Sequence, residues 1–477
     1  MFGVNPHHTL SPWTFQIFLH CRAYYLAPWG IVSKPLRCSG TDIYGWIDTY
    51  VVLVSSTTHW LTKQCIDQKN PDDQHRQISQ MGTIYSSAQF TIVAAAGTDA
   101  NAGLPGVSCA FTNPKICSVT KDLCLVALPQ SVTQSVSGSA WYSRAWTLQE
   151  GYLSKRRLFF VEHGAEFICD QDLQDKGLLV GHVAKELAAS LPSTITSWDR
   201  ANHMMRQFTG RSLTYDTDAL NAIVGALETL EGVDNTMGVV ISSSNASKTS
   251  SIQMALSWHH PIPCSRRKGF PSWSPIGWRG HVDYLDHQTI ISSGCRLEVW
   301  YNGRYRLLSE TIGRLSRQHR AHEPEQAKFL RLKTIVVMLD FEDLDESPNI
   351  PAGLYVKIPY NHDLTLLVQP LWDVESVYQT HEHGLQLACA VLVRRRTLMQ
   401  TTWRCERETQ IIIMQPLGTH YERVGCFDLN WSYRNILARD KQGRTFPLDF
   451  SYGNPLLEYG DGTFWMETGE ERTFLLG

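Results

Sequence analysis

From residue 74 to residue 88 apolar side chains recur at three- and four-residue intervals, at Ile78, Met81, Ile84, Tyr85 and Ala88, the spacing of one helix face. Pro71, Asp72 and Asp73 precede them, so the pattern predicts a helix over Gln74 to Ala88 with Asp72 or Asp73 as N-cap. The alternation then gives way to a continuous apolar run, and Phe90 to Ala96 reads as a buried strand. A strand ending at Trp46-Ile47-Asp48 comes before the helix. That order, strand, helix, strand, implies parallel pairing through a right-handed crossover.

Asn101 to Gly138 is irregular, rich in Gly and Pro, with a short strand at Leu123 to Leu128. A helix is predicted over Trp141 to Leu153, followed by strands at Arg157 to Phe160 and near Ala165 to Cys169. The pattern from 191 to 256 is mostly helical, including Asp218 to Leu230, where Leu220, Ile223, Val224 and Leu227 share a face. Beyond Arg267 the period shortens. Strands are predicted at Cys295 to Trp300, Thr334 to Leu339, Gly353 to Ile358, Leu364 to Val368, Leu387 to Val393 and Gln410 to Met414, an antiparallel, β-sandwich-like region in which Pro271, Trp273 and Trp278 staple the packing.

The predicted helix from Trp141 carries the most unusual chemistry. Trp141, Arg144, Ala145 and Leu148 fall on one face, and Trp146, Glu150 and Leu153 on another, so Glu150 is expected beside an indole at the edge of a core. Such a carboxylate is desolvated and its pKa rises unless Arg144, Lys155, Arg156 or Arg157 compensates. A structural ion pair and a catalytic acid both fit that description, and residue types alone favour the structural pair.

Length and composition narrow the classes. At 477 residues with 43% apolar and 10% aromatic content, the chain has room for two or three domains with buried cores. Its 43 basic and 46 acidic residues generate no strong overall field, so neither nucleic acid nor an anionic membrane is indicated as a general partner. No apolar run reaches the roughly 18 residues of a membrane span, and the beginning lacks the layout of a signal peptide, which reads as a soluble cytoplasmic protein. Twelve cysteines without a C-x-x-C pair fit reduced thiols. His259-His260 near Cys264 and His381 with His383 near Cys389 lack a second ligand pair and read as surface or loop, so no metal site is assigned. Nor is there a P-loop.

Two segments resemble the signature blocks of the fungal heterokaryon-incompatibility (HET) domain. One runs from Trp141 through Arg144-Ala145-Trp146-Thr147-Leu148-Gln149-Glu150 to Leu153, Arg156-Arg157-Leu158 and Phe160, with Phe167-Ile168-Cys169 after it. The other comprises Cys65-Ile66-Asp67-Gln68, Gln80-Met81, Ile84-Tyr85 and Ala88 to Ala94, with Gly103-Leu104-Pro105 following. Arg211-Ser212-Leu213-Thr214, Asp218 to Ala222, Leu256 to Trp258, Phe270 to Gly280 and Tyr421 to Gly425 resemble pieces that recur beyond the domain in proteins of this kind. The resemblance implies an α/β fold over residues 43–190, with a parallel, flavodoxin-like sheet similar to that of Toll/interleukin-receptor (TIR) domains. A helical connector (191–262) and a β-rich C-terminal region (263–477) complete the expected organisation.

The family's Trp-Ile-Asp element runs almost directly into Cys-Ile-x-Gln, whereas here Val51 to Gln64 separates Asp48-Thr49-Tyr50 from Cys65. Removing it restores the run. Val codons begin GT, Gln can be CAG and Leu61-Thr62 can be written CTAAC, so 51–64 reads as an intron-derived insert, the alternative being a genuine loop insertion. Residues 1–42 show no clear period and lack the family's opening strand, so they are left unassigned and read as translation of a non-native frame.

Some TIR-class relatives cleave NAD between nicotinamide and ribose with a glutamate in a Trp-Cys-x-x-Glu setting. Trp146 to Glu150 keeps that interval, so the resemblance implies Glu150 as the catalytic group, Trp146, Trp141, Arg144 and Asp48 as substrate-binding residues, NAD as substrate and no other cofactor. A fixed carboxylate would stabilise the positive charge that builds on the ribose. The competing reading is a non-catalytic assembly module with a protein partner or self-association in non-self recognition and programmed cell death. A third is a degenerate, inactive relative.

Overall fold

The computed structural model describes residues 16–19, 59–60 and 69–477, apart from 99–101, 109, 113–115, 119–123, 127–131, 170–196, 243–255, 285–294, 312–327, 348–349, 360–362, 375–386, 399–404, 431–435 and 448–468. Asp48, Trp46 and most of 51–64 lie outside the described residues, as do His381 and His383. The chain divides into two units. The first comprises 1–196, 211–214 and 221–229, and the second 197–210, 215–220 and 230–477.

The first unit is built on a five-stranded sheet in the order β2-β1-β3-β6-β7. β1 (Gln16–Leu19) and β2 (His59–Trp60) pair with each other, from segments where the sequence pattern predicts no strand. Helix α1 (Pro71–Ser87) leads into β3 (Thr91–Ala94), which pairs antiparallel with β1. A separate hairpin, β4 (Ile116–Ser118) with β5 (Cys124–Val126), matches the short predicted strand. Helices α2 (Val132–Ser137) and α3 (Thr147–Leu153) then precede β6 (Arg156–Val161) and β7 (Gly164–Cys169).

Among the described strands of this sheet only β3 and β6 pair parallel, so it is mixed rather than wholly parallel. The reason is local. Val161 pairs with Gly164, leaving Glu162 and His163 as a two-residue turn, and a link that short can only return the chain antiparallel. Both faces of the sheet are nonetheless covered, because successive residues point to opposite sides. Val93, Phe159, Val161 and Ile168 join Val136 and Trp141 in one core, while Ile92 and Phe160 join Phe90, Leu104 and Leu158 in the other.

α1 begins three residues before the predicted start. Its N-cap is Asn70, not Asp72 or Asp73, because Asn70 Oδ1 accepts from the amides of both aspartates at 3.1 and 3.3 Å. Pro71 is tolerated at the first helical position, and the two aspartates complement the helix dipole from the first turn. The buried face is the one expected, with Met81, Tyr85 and Ala88 against the interior.

Between residues 197 and 230 the chain alternates between the units: α4 (Ser197–Thr209) belongs to the second, and α5 (Asn221–Leu227) to the first. α5 covers the centre of the predicted Asp218 to Leu230 helix and packs on α1 and α3. The Met237-Gly238 turn, with φ of 49° and 77°, then joins β8 (Val233–Thr236) to β9 (Val239–Ser242).

In the second unit β10 (Trp258–His259), β11 (Ser265–Arg266), β12 (Trp278–Arg279) and β13 (Asp283–Tyr284) form two short pairs, β10 with β13 and β11 with β12. A twelve-stranded sheet follows: β14 (Arg296–Tyr301), β15 (Arg304–Leu307), β16 (Leu330–Leu344), β17 (Gly353–Pro359), β18 (Leu364–Val368), β19 (Leu371–Trp372), β20 (Leu387–Leu398), β21 (Cys405–Leu417), β22 (His420–Asn430), β23 (Ile436–Asp440), β24 (Thr445–Pro447) and β25 (Glu470–Leu476). All six predicted strands are among them. β20 and β21 are buried on both faces, since Leu387, Cys389, Ile411 and Ile413 share a core with β17, β18 and β23, while Ala388, Ala390, Ile412 and Met414 share one with β14 and Trp273. Trp273 and Trp278 are fully buried, in keeping with a packing role.

Candidate functional site

The predicted helix from Trp141 is half as long as its pattern indicated. Residues 141–146 are turns, and α3 starts at Thr147. Ala145 N–H donates to Ser212 O at 2.9 Å and Ser212 N–H to Ser143 O at 2.7 Å, which commits backbone groups a helix would need. The Thr147 hydroxyl also donates to Arg144 O at 2.7 Å. The facial arrangement read from the sequence is corrected accordingly: Trp141 lies before the helix and folds back onto it.

Glu150 sits in the first turn of α3, every residue of which is buried. Its two oxygens accept from separate neutral donors, Oε1 from the Tyr85 hydroxyl at 3.1 Å and Oε2 from Trp141 Nε1 at 3.0 Å. The indole that reaches the carboxyl is therefore Trp141's, whereas the sequence pattern placed Trp146 on its face. Trp141 is 1% exposed and meets Phe159 edge-on with ring centroids 5.8 Å apart. Tyr85 is brought in by its place on the buried face of α1.

Burial pushes the Glu150 carboxyl up to about 8, against the hydrogen bond from Trp141, the charge of Arg144, the hydrogen bond from Tyr85 and the charge of Arg211, all of which pull it down. At neutral pH the proton-bound form dominates. The cluster accommodates it, since an indole N–H can only donate but a tyrosine hydroxyl donates or accepts. Lys155, Arg156 and Arg157 do not supply the expected compensation: Arg157 is buried and its guanidinium donates to Gly151 O.

Arg211 was legible only as part of a recurring Arg-Ser-Leu-Thr string. It is buried, donates to Thr147 Oγ1 at 3.2 Å and Arg144 O at 3.3 Å, and lies over the Tyr142 ring at 4.4 Å. Gln149, beside Glu150, donates to Asn221 O at 2.9 Å. Neither role has a sequence signal, because the partners lie over sixty residues apart along the chain. Of the sequence-derived site residues, the fold thus brings Glu150, Trp141 and Arg144 together; Trp146 is half-buried at the start of α3, and Asp48 lies outside the described residues.

The second unit holds a different buried polar centre. Arg423 Nε donates to Asp373 Oδ2 at 2.8 Å, its other nitrogens donate to Leu256 O and Trp258 O, and the guanidinium lies 3.7 Å from the Trp258 ring centroid. His260 packs between Trp258 and Trp278, its Nδ1 2.9 Å from His281 O, and burial lowers the pKa of His259 to about 4. Among the described residues no group of three or more His, Cys, Asp or Glu side chains could hold a metal ion, and no helix is long and apolar enough to cross a membrane.

No curated protein and no solved structure matches the chain. Residues 44–150 match the model of the family described as heterokaryon incompatibility protein (HET). That match ends at Glu150 and includes both of its donors, Tyr85 and Trp141, so the buried cluster is internal to the matched domain. Over residues 44–150, therefore, the chain is similar to the HET family.

Proposed function

We propose that this protein acts in fungal non-self recognition and programmed cell death as a cytoplasmic assembly module, its HET domain working through a protein partner or a second copy rather than through a glutamate-driven reaction. The observation that carries this reading is the enclosure of Glu150. A carboxylate that stabilises charge on a ribose must be ionised and must face the sugar. Glu150 is 3% exposed, has both oxygens engaged, and holds a proton at neutral pH. A TIR-like ancestry accords with the parallel β3 and β6 pair and its flanking helices, although the sheet is mixed.

NAD glycohydrolysis is the second reading. It is favoured by the pKa of about 8, since groups tuned into the neutral range cluster at working sites. Free NAD measured over time with the full chain and with Arg211→Ala, which removes the bonds to Thr147 and Arg144, each with and without Glu150→Gln, separates the two. The assembly reading predicts no NAD consumption by any of the four proteins. Consumption abolished by Glu150→Gln would overturn it and assign the chemistry to Glu150, and consumption unchanged by the substitution would overturn it without implicating that residue.

A further inference from the structure

The helix bearing Glu150 is covered by chain from outside the family match. Arg211–Thr214 and α5 belong to the first unit, yet the residues on both sides of each, 197–210, 215–220 and 230 onward, belong to the second. Part of their hold on the domain is polar. Arg211 bonds to Thr147 Oγ1 and Arg144 O, Ser212 exchanges backbone hydrogen bonds with Ser143 and Ala145, and Gln149 reaches Asn221 O. Each such bond has a ready replacement in water and contributes about 0.5–1.5 kcal/mol net, somewhat more where the guanidinium donates.

The helical part is equally conditional. α5 has seven residues, too few to be helical without a docking surface. Its fit depends on small side chains: a Cβ added at Gly225 would lie 2.6 Å from Gln149 Oε1 and 3.4 Å from Gly82 Cα. Only Ile223 and Leu227 are large buried apolar residues of α5. A cover fixed by replaceable hydrogen bonds, a glycine contact and two large apolar side chains is cheap to release compared with the β20 and β21 core.

We propose that Arg211–Thr214 and α5 form a releasable clasp over α3, which keeps the Glu150 carboxyl enclosed in the resting protein and uncovers it when the clasp lifts. The clasp is joined along the chain to second-unit segments on both sides, 197–210, 215–220 and 230 onward. The inference rests on the enclosed Glu150 of the proposed function, but its test reads neither assembly nor NAD.

The test is carbodiimide-dependent amine labelling of carboxyls in the full chain, mapped by mass spectrometry, for wild type, Arg211→Ala and Ser212→Pro, the last removing the Ser212 N–H. Glu150 labelling is expected to rise by about tenfold or more in both variants, the consequence of losing one or two of these bonds from a local opening, while Asp373 stays unlabelled. Unchanged Glu150 labelling overturns the clasp. If a variant labels Asp373 as well, native-state hydrogen exchange on the wild type decides: α5 amides exchanging at lower denaturant than those of β3 and β6 support the clasp. Exchange of α5 only together with β3 and β6 overturns it.

Discussion

Water reaches neither Glu150 in the first unit, 3% exposed, nor Asp373 in the second, 0% exposed, and the two units deal with the buried carboxyl in opposite ways. Around Glu150 the donors are neutral, an indole and a phenol, and the cost of burying charge is avoided by keeping the proton. Around Asp373 the donor is a guanidinium, itself buried and bonded to two backbone carbonyls, so opposite charge meets the carboxylate directly. One arrangement can change with pH or with the opening of its cover. The other is a fixed charge pair whose loss leaves an uncompensated ion in the core.

The largest effect expected from breaking that contrast is at Arg423. Arg423→Met leaves Asp373 buried without its partner and should cost about 3–5 kcal/mol, read from the urea dependence of hydrogen exchange in β20 and β21. Replacing both members, Arg423→Met with Asp373→Leu, should recover most of the loss; equal instability of the single and double variants would show that the guanidinium's carbonyl bonds, not the charge pair, matter.

Next in size is the pH response of Glu150. Its folded-state pKa of about 8 lies above the ordinary 4.5, so between those values the folded chain holds a proton that the unfolded chain has released. Stability from this group is therefore complete below pH 4.5 and declines as pH rises toward 8, by on the order of 5 kcal/mol across the window. Glu150→Gln, which mimics the protonated side chain, should flatten the dependence of the first unit's urea midpoint and exceed wild type in stability at pH 8. Parallel pH profiles for the two proteins would sink the neutral-carboxyl account.

Smaller changes separate the two donors. Trp141→Phe removes the donor to Oε2 and should cost about 1–3 kcal/mol while raising the Glu150 pKa further, measurable as an alkaline shift of its carboxyl carbon resonance. Tyr85→Phe should cost about 1 kcal/mol and shift the same titration in the same direction by less, since Tyr85 pulls the pKa down less strongly than Trp141. A larger shift from Tyr85 would reverse the assignment of the principal donor.

Much of this was legible because local pattern and local structure agree. The face of α1, the buried β3, the β6 and β7 strands and six strands of the large sheet follow from periodicity alone. Near Glu150 that reasoning failed at identifiable atoms. Helical spacing over 141–153 is real, but Ser212 takes the backbone groups of Ser143 and Ala145, and the Thr147 hydroxyl takes Arg144 O, so the first half turns instead of coiling. Once those six residues leave the helix, a face drawn on a helical wheel no longer predicts which tryptophan meets the carboxylate.

By itself the sequence determined the elements with strong periods, the desolvated setting of Glu150 and the HET signature that the family match bears out over 44–150. Tertiary structure alone decided the rest: that Trp141 and Tyr85 are the donors, and that Arg211 and α5 return to the first unit from a distant part of the chain. The physical reason is range. Periodicity and capping act over a few residues and leave their mark in the local order of side chains, whereas hydrogen bonds between residues sixty or more apart depend on where the whole backbone has been carried.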